Sequence, residues 1–288
     1  MSVNGGPVER LLWSPAQISF DLQGYEASCH LRSDLRPTDL IENKLYGNPD
    51  GTGSDKYKST ACYKAVSESL ERWAYYAVGV SLQSKIYGFQ IDSSTNGMSA
   101  FPGFTKQSAR STATFEALER WALTEWWSGK LCTKQFKTNN ITFIEILIPN
   151  IGSVVIAWMP VPALKNVVAY GFAAAKTTVG AFTKSQAELF RNIFVLERHT
   201  KNSKSVQMSD LNIQEQRLLW FSTEAGHQNF LDKVNGSLNS LVKNIAPSFI
   251  LDTEIIGPWS QYTTVWRCLF KLSVSHHDYN HDVNFFFF

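Results

Sequence analysis

A seven-residue helical motif occurs twice in this chain, as ESLERWA at Glu68–Ala74 and as EALERWA at Glu116–Ala122. Residues three and four apart share one face of an α-helix, so the two glutamates of each copy lie side by side. In each copy the arginine follows the first glutamate at i+4, and the neighbouring Trp and Ala indicate a partly buried face. Two helices with one acidic pattern therefore constrain the fold more than any other feature.

Composition excludes several classes of protein. The chain has 288 residues, of which 44% are hydrophobic and 13% aromatic, which suffices for one large domain or two small ones. The net charge is +2 and no basic block is present, so we expect no nucleic-acid partner. We expect no membrane segment, because no run of about 18 apolar residues occurs. We expect no secretory signal, because the N-terminus has no basic region followed by an apolar one. The four cysteines are widely spaced, which favours reduced thiols and a cytoplasmic protein.

Hydrophobic periodicity predicts helices and strands in mixed order. The predicted helices cover about 59–80, 105–127, 183–199, 212–221 and 227–244. The predicted strands cover 141–149 and 153–162 as an antiparallel pair, then 170–178, 248–254 and 263–274. This order favours an α+β fold in a single domain with mixed or antiparallel sheets.

We expect three stretches of the chain: an irregular N-terminal segment at 1–58, one domain at 59–275 and a tail at 276–288. Residues 92–103 contain the turn signal Asn-Gly and are predicted as a loop. In the last predicted strand, Trp266, Cys268 and Phe270 alternate with Arg267, Leu269 and Lys271, as expected for a strand.

The repeated acids permit two interpretations. They are either exposed helix faces with Glu–Arg pairs, each worth roughly 0.2–0.5 kcal/mol, or ligands of one site. If the two helices pack as pseudo-symmetric partners, four carboxylates converge and need cations to offset their repulsion. Mg²⁺ takes carboxylate oxygens and shares them with substrate phosphates. The pattern therefore predicts a metal–nucleotide site, although the sequence has no Walker A motif.

Four segments resemble YcaO-domain proteins. STNGMSAFPGFTKQSARSTATFEALERWALTEWWSGKL at 94–131 resembles the central ATP-binding segment, and STACYKAVSESLERWAYYA at 59–77 resembles the earlier acidic helix. YGFAAAKTTVGAFTKSQAELFRNIFVLER at 170–198 resembles the glycine-rich strand and the arginine-bearing helix. ILDTEIIGPWSQYTTVWRCLFKLSV at 250–274 resembles the two later strands. The segments occur in the family's order and cover most of residues 59–275.

The resemblance implies an α+β fold and a peptide-modifying activity. YcaO proteins use ATP and Mg²⁺ to phosphorylate a backbone amide oxygen, and a neighbouring side chain, an amine or a sulfide then displaces phosphate. We expect an azoline-forming cyclodehydratase of the thiazole/oxazole, bacteriocin type. The alternatives are a thioamide- or amidine-forming enzyme and a nucleotide-inactive subunit. The implied partners are a precursor peptide, a leader-binding E1-like protein and a flavin dehydrogenase.

The same resemblance implies roles for individual residues. Four acids are implied to hold Mg²⁺ and the phosphates: Glu68, Glu71, Glu116 and Glu119. Arg72 and Arg120 are implied to order those acids. Asn96 and Ser99 are implied to lie at the nucleotide, and Arg191 is implied to contact the phosphates. Of these, Glu68, Glu119 and Arg191 are implied to act in catalysis. The alternatives are that Asn96 is a simple turn residue and that Arg191 lies on a solvated helix face.

Three positions depart from the family's pattern. Lys64 stands where a small polar residue is common, and Ser108 and Val195 stand where acids are common. These departures favour the nucleotide-inactive alternative.

The tail has its own residues of interest. Its histidines and aspartates form a candidate metal site: His276, His277, His281, Asp278 and Asp282. An unstructured tail without metal is the favoured alternative. Phe285–Phe288 are apolar and are expected to be covered by the domain or by a partner.

Overall fold

A computed structural model describes residues 5–19, 22–38, 43–103, 105–149, 151–201, 207–238, 245–274 and 282–287. The helices are α1 (Lys58–Val78), α2 (Lys106–Trp127), α3 (Thr178–Lys201), α4 (Ile213–Ser222) and α5 (Glu224–Leu238). The first strands are β1 (Val8–Ser19), β2 (Leu22–Leu31), β3 (Gly51–Asp55), β4 (Met98–Pro102) and β5 (Thr133–Thr138). The later strands are β6 (Ile141–Ile146), β7 (Ser153–Pro160), β8 (Val168–Ala175), β9 (Phe249–Ile255) and β10 (Thr263–Phe270).

The predicted α+β class is confirmed, and the paired strands of all three sheets are antiparallel. The chain divides into two compact units that interleave along the sequence. The first unit comprises Met1–Ile41, Asn48–Ala117 and Phe249–Phe270. The second unit comprises Glu42–Gly47, Leu118–Ser248 and Lys271–Phe288. Helix α2 begins in the first unit and ends in the second.

The first unit contains two sheets, ordered β1-β2-β3 and β4-β10-β9. Helix α1 packs on the first sheet and buries Ala61, Ala65, Leu70 and Trp73. The prediction that 1–58 is irregular is wrong, because β1, β2 and β3 lie there and belong to the same unit as α1. The glycines and polar residues of this segment conceal the strands, since much of β1 is exposed and lacks a clear apolar alternation.

Two smaller predictions in the first unit also need correction. Residues 98–102, predicted as loop, form β4, which pairs with β10. The last strand ends at Phe270 rather than at residue 274. The first difference is a whole strand and the second a strand end, and in both places pairing with a distant segment decides the structure.

The second unit is built on one sheet, ordered β5-β6-β7-β8, with α3 packed against it. The predicted antiparallel pair is confirmed as β6 and β7. The core contains Phe143, Val155 and Leu189, which are fully buried. No helix within the described ranges has both the length and the apolar character needed to cross a bilayer.

Close packing of β8 on α3 depends on Gly171. A Cβ at this position would lie 2.2 Å from Leu189 N and 2.3 Å from Ser185 O, both in the backbone of α3. Neither atom can move without shifting the helix, so only glycine fits at this contact.

Gly171→Ala is therefore expected to lower the free energy of unfolding by about 1–3 kcal/mol, the cost typical of overpacking. The matched control is Gly236→Ala in α5, where an added Cβ would have no neighbour within 4 Å. This control is expected to raise the free energy of unfolding by about 0.5–1 kcal/mol, since alanine favours a helix interior. Urea titration of both variants measures the difference, and equal effects at the two positions would contradict this account of Gly171.

Residues 282–287 pack inside the second unit. Phe286 is fully buried, and its ring lies 5.8 Å from that of Trp127 and 4.7 Å from that of Phe230, centroid to centroid. Arg217 holds the same segment, because Nε donates to Asp282 O at 3.0 Å and Nη1 donates to Phe287 O at 3.0 Å. Phe285, Phe286 and Phe287 are thus covered by their own chain, whereas His276, His277, Asp278 and His281 lie outside the described residues.

Candidate active site

Strand β3 approaches α1 more closely than a strand with side chains could. A Cβ on Gly51 would lie 2.1 Å from Ala65 O, and one on Gly53 would lie 2.2 Å from Ala61 O. The sequence Gly-Thr-Gly therefore places the strand backbone directly on the helix backbone. This contact brings the residue between the two glycines to the first glutamate of the repeated motif.

Glu68 is fixed by that contact. Its Oε2 accepts hydrogen bonds from Thr52 N at 2.8 Å and from Thr52 Oγ1 at 3.0 Å. Its Oε1 lies 3.6 Å from Arg72 Nη2, and each of the two side chains is about a third exposed, at 35%. Glu68 is therefore an oriented carboxylate beside an arginine rather than a mobile surface acid.

Arg72 links α1 to the turn that precedes β4. Its Nη1 donates to Thr95 Oγ1 at 2.9 Å, while Nη2 faces Glu68. Burial alone would lower the pKa of Arg72, but the carboxylates of Glu68 and Glu71 raise it above its ordinary value. The arginine thus lies among the acids of the first motif, as the resemblance implied.

Three of the four predicted acids come together in the first unit. Burial and the nearby Glu116 carboxylate raise the pKa of Glu71 well above its ordinary value, and Glu68 adds to this shift. The Arg72 and Arg267 guanidinium groups oppose it. A carboxyl that is costly to ionise beside two others marks a place where a bound cation would be favourable.

Glu119, the fourth acid, belongs to the second unit. Its Oε2 accepts a hydrogen bond from Ala174 N in β8 at 2.9 Å. Glu68 is held in the same way by a backbone N–H of β3. In both motifs, therefore, a strand backbone N–H donates a hydrogen bond to a motif glutamate. That all four acids serve one metal ion stays a prediction.

Asn96 and Ser99 lie where the turn leads into β4. Asn96 Nδ2 donates to Asp92 Oδ2 at 2.8 Å, and Asn96 N donates to Ser94 Oγ at 3.2 Å. Ser99 is buried in β4 opposite Trp266 of β10. Asn96 therefore has a structural part in the turn, as its alternative interpretation anticipated. The nucleotide contacts implied for Asn96 and Ser99 stay predictions.

Arg120 and Arg191 lie in the second unit. The buried Arg120 guanidinium lies over the Phe287 ring. Arg191 forms an ion pair with Glu188 and lies 5.7 Å from the centroid of the Tyr46 ring. The Arg191 side chain is 32% exposed. The phosphate contact implied for Arg191 stays a prediction.

The departures from the family's pattern now have structural partners. Lys64 Nζ is held by Asp55 Oδ2 at 2.8 Å and by Ser54 O at 2.9 Å. Ser108 is partly buried near the start of α2. Val195 is buried in the core of the second unit, so an acid at this position would be desolvated without compensation.

Sequence reasoning missed four residues that organise this region: Thr52, Thr95, Asp92 and Arg267. The Gly-Thr-Gly pattern before α1 was a usable signal for Thr52, because two glycines flanking one polar residue indicate a close backbone approach. The other three depend on contacts between distant segments. Within the part of the chain that the structure describes, no three His, Cys, Asp or Glu side chains are arranged as a ready metal site.

Comparison with solved structures finds a common fold. The chain is similar to a chain of the E. coli microcin synthetase McbBCD complex with pro-MccB17 bound, with a TM-score of 0.57 and 13% identity over 92% of this chain and 87% of that chain. A second structure of the E. coli microcin synthetase McbBCD complex gives a TM-score of 0.56 and 12% identity over the same shares. No family model and no curated protein matches the sequence. The likeness confirms the fold that the sequence resemblance implied.

Proposed function

We propose that this protein activates a backbone amide of a peptide by ATP- and Mg²⁺-dependent phosphorylation, which yields azoline rings in a ribosomally made precursor. The observation that carries the proposal is the cluster of Glu68, Glu71 and Glu116, in which Glu71 has a strongly raised pKa. Two supports accompany it: the four YcaO-like segments of the sequence, and a fold shared with chains of the E. coli microcin synthetase McbBCD complex.

The chemistry of the three carboxylates suits Mg²⁺, although in this structure they are not arranged as a ready metal site. Carboxylate oxygens are the preferred protein ligands of Mg²⁺, and a cation would offset the cost of ionising Glu71, whose pKa is raised first by burial and then by the nearby Glu116 carboxylate. Glu68, Glu71 and Glu116 would hold the ion, with Glu119 assigned to the same role by the resemblance. When bound, Mg²⁺ would supply charge neutralisation for the phosphates.

The chain's own residues then have distinct tasks. Thr52 orients the Glu68 carboxylate, and Arg72 holds it from the other side. Arg191 is assigned to the phosphates, because a planar guanidinium can donate two parallel hydrogen bonds. An amide is a poor electrophile, and phosphorylation of its oxygen creates a leaving group that a neighbouring Cys, Ser or Thr side chain displaces. Such a reaction needs alignment and charge stabilisation more than a protein nucleophile.

The second candidate is a subunit that binds substrate or partners without turning over ATP. It is favoured by the surroundings of Lys64, which is engaged with Asp55, and of Val195, which is core. A thioamide- or amidine-forming enzyme would use the same activation with sulfide or an amine as the nucleophile. The product mass separates these chemistries.

We infer that the protein works in the cytoplasm with partner proteins. None of the four cysteines, all of which lie in the described part of the chain, forms a disulfide, which suits a reducing compartment. The fold relatives are subunits of a multi-protein complex, one of them with a pro-peptide bound. A leader-binding E1-like protein and a flavin dehydrogenase that oxidises azoline to azole are the proposed partners. The buried Phe terminus provides no argument for a partner, since its own unit covers it.

Reconstitution tests the proposal. Purified chain, precursor peptide and Mg-ATP, with and without the proposed partners, are expected to give a product lighter by one water per ring, and fastest with the leader-binding partner present. Intact-mass measurement reads the result. Efficient modification by the chain alone would contradict partner dependence. A wild-type chain that gains no thermal stability at saturating Mg-ATP would favour the nucleotide-inactive subunit.

A further inference from the structure

Residues 92–97, here named the Asp92 turn, are organised by one buried carboxylate. Asp92 is 3% exposed, and its Oδ1 accepts hydrogen bonds from Ser94 N at 2.9 Å and from Ser94 Oγ at 2.7 Å. Its Oδ2 accepts from Asn96 Nδ2 at 2.8 Å. The side chain of the first residue thus orders the rest of the turn, a local role typical of aspartate.

Arg267 of β10 holds the same turn through its backbone. Its Nη2 donates to Asp92 O at 2.6 Å and to Ser94 O at 3.1 Å. The guanidinium is fully buried and lies 3.7 Å from the centroid of the Phe89 ring. Burial lowers the pKa of Arg267 to about 10. Because a buried guanidinium is costly, its retention here indicates a task beyond filling space.

The end of the turn is attached to the next residue of the same strand. Cys268 N donates to Gly97 O at 2.8 Å. Gly97 has a φ of +65°, and a Cβ there would lie 1.9 Å from Cys268 O. Two adjacent residues of β10 therefore hold the beginning and the end of the Asp92 turn, and leave little freedom for the residues between them.

Between these two attachments, the turn presents Thr95 to the acid cluster. Thr95 Oγ1 accepts the hydrogen bond from Arg72 Nη1 at 2.9 Å, and Arg72 Nη2 lies 3.6 Å from Glu68 Oε1. The contacts thus run without interruption from Arg267 through the turn to the motif arginine. All of these residues belong to the first unit.

We propose that Arg267 is a positioning residue for the candidate active site, which acts through the Asp92 turn and Thr95 to hold Arg72 against the Glu68 carboxylate. The inference rests on the proposed function only in taking Mg-ATP as the ligand of the acid cluster. Arg72 is held by two contacts, one with Glu68 and one with Thr95. The contact with Thr95 is only as rigid as the turn that contains Thr95.

The test compares Mg-ATP affinity in Arg267→Lys, Thr95→Val and the double variant by calorimetry. Each single variant is expected to bind about tenfold more weakly, the loss typical of one hydrogen bond to a charged group. The double variant is expected to bind no more weakly than Arg267→Lys, because both changes break one chain of contacts. Losses that multiply, or an unchanged affinity in Arg267→Lys, would overturn the proposal.

A matched control separates positioning from general stability. Arg110→Lys alters another arginine of the first unit, one that holds Asp252 of β9 and does not touch the turn. It is expected to leave Mg-ATP affinity unchanged. If Arg267→Lys does not fold, Asp92→Asn loosens the same turn from within and is expected to show the same tenfold loss. Wild-type affinity in a folded Asp92→Asn variant would count against the proposal.

Amide hydrogen exchange tests the positioning role of Arg267 in the absence of nucleotide. The Ser94 and Asn96 amides, which donate to side chains inside the turn, are expected to exchange about tenfold faster in Arg267→Lys than in wild type. They are expected to be unchanged in Arg110→Lys. A wild-type chain that does not bind Mg-ATP would sink the proposed function, whereas unchanged exchange in Arg267→Lys would sink the positioning role.

Discussion

Glu71→Gln is expected to abolish Mg-ATP-dependent peptide modification while making the metal-free protein more stable. The loss of activity should be at least about 100-fold, the effect of removing one charge-stabilising group from a preorganised site. The stability gain follows because burial and the Glu116 carboxylate make the charged form of Glu71 costly in the folded chain. A neutral amide of the same size removes both penalties, a trade of stability for function that is common at active sites.

The pH dependence of stability gives a second readout for the same variant. The pKa of Glu71 is raised from its ordinary 4.5 in the folded chain. Between the unfolded and folded values the folded chain binds more protons, so the free energy of unfolding falls as pH rises. The part of the free energy of unfolding that depends on Glu71 is fully present below about pH 4.5 and is lost as pH rises through the raised pKa of Glu71. Glu71→Gln should flatten this slope.

Urea titrations of metal-free protein between pH 4.5 and 8 measure the slope, and the reconstituted reaction measures activity. The control is Glu9→Gln, which removes an exposed carboxylate of β1 in the same unit. This control should change neither the pH slope of stability nor the activity. Retained activity in Glu71→Gln would remove this residue from the site, and an unchanged pH slope would contradict its raised pKa.

Phe286→Ala is expected to lower the free energy of unfolding by about 3–5 kcal/mol, the usual cost of truncating a buried phenylalanine. The ring is fully enclosed by aromatic side chains of the second unit: Trp126, Trp127, Tyr170, Phe221 and Phe230. Removing it would leave a cavity that these large, mutually packed rings cannot close. Chemical denaturation should show the loss as a lower midpoint.

Phe194→Ala provides the matched control for that experiment. Phe194 lies in α3 of the same unit but is 56% exposed, so its truncation removes little buried surface. We expect a change below about 1 kcal/mol. Equal destabilisation by the two variants would show that the terminal segment does not pack as described.

Much of the local structure could be predicted from the sequence. The two motif helices, the β6–β7 pair and the approximate limits of α2 follow from hydrophobic spacing over neighbouring residues. The same spacing placed Glu68 beside Arg72, because an i,i+4 relation is a property of the helix itself. The acids of both motifs were predicted to converge if the two helices pack as pseudo-symmetric partners. Glu68 and Glu116 both act on the pKa of Glu71, and a single site of four acids stays a prediction.

Strand alternation did not reveal the burial of Arg267. Alternation separates Arg267 from Trp266 and Cys268, but Arg267 is fully buried, since a turn from elsewhere in the chain supplies backbone carbonyls to its guanidinium. Alternation describes which side of a strand a residue occupies, but it does not say what covers that side.

The sequence by itself determined the helices, their acidic faces and the resemblance that led to a function. Only the tertiary structure decided that 1–58 contains three strands, that Phe285–Phe287 pack on their own unit and that Val195 is core. Periodicity is set by the geometry of a few consecutive residues and can therefore be recognised in one stretch of the sequence. Burial and hydrogen-bond partners depend on which distant segments meet, and that choice is made by the folded chain as a whole.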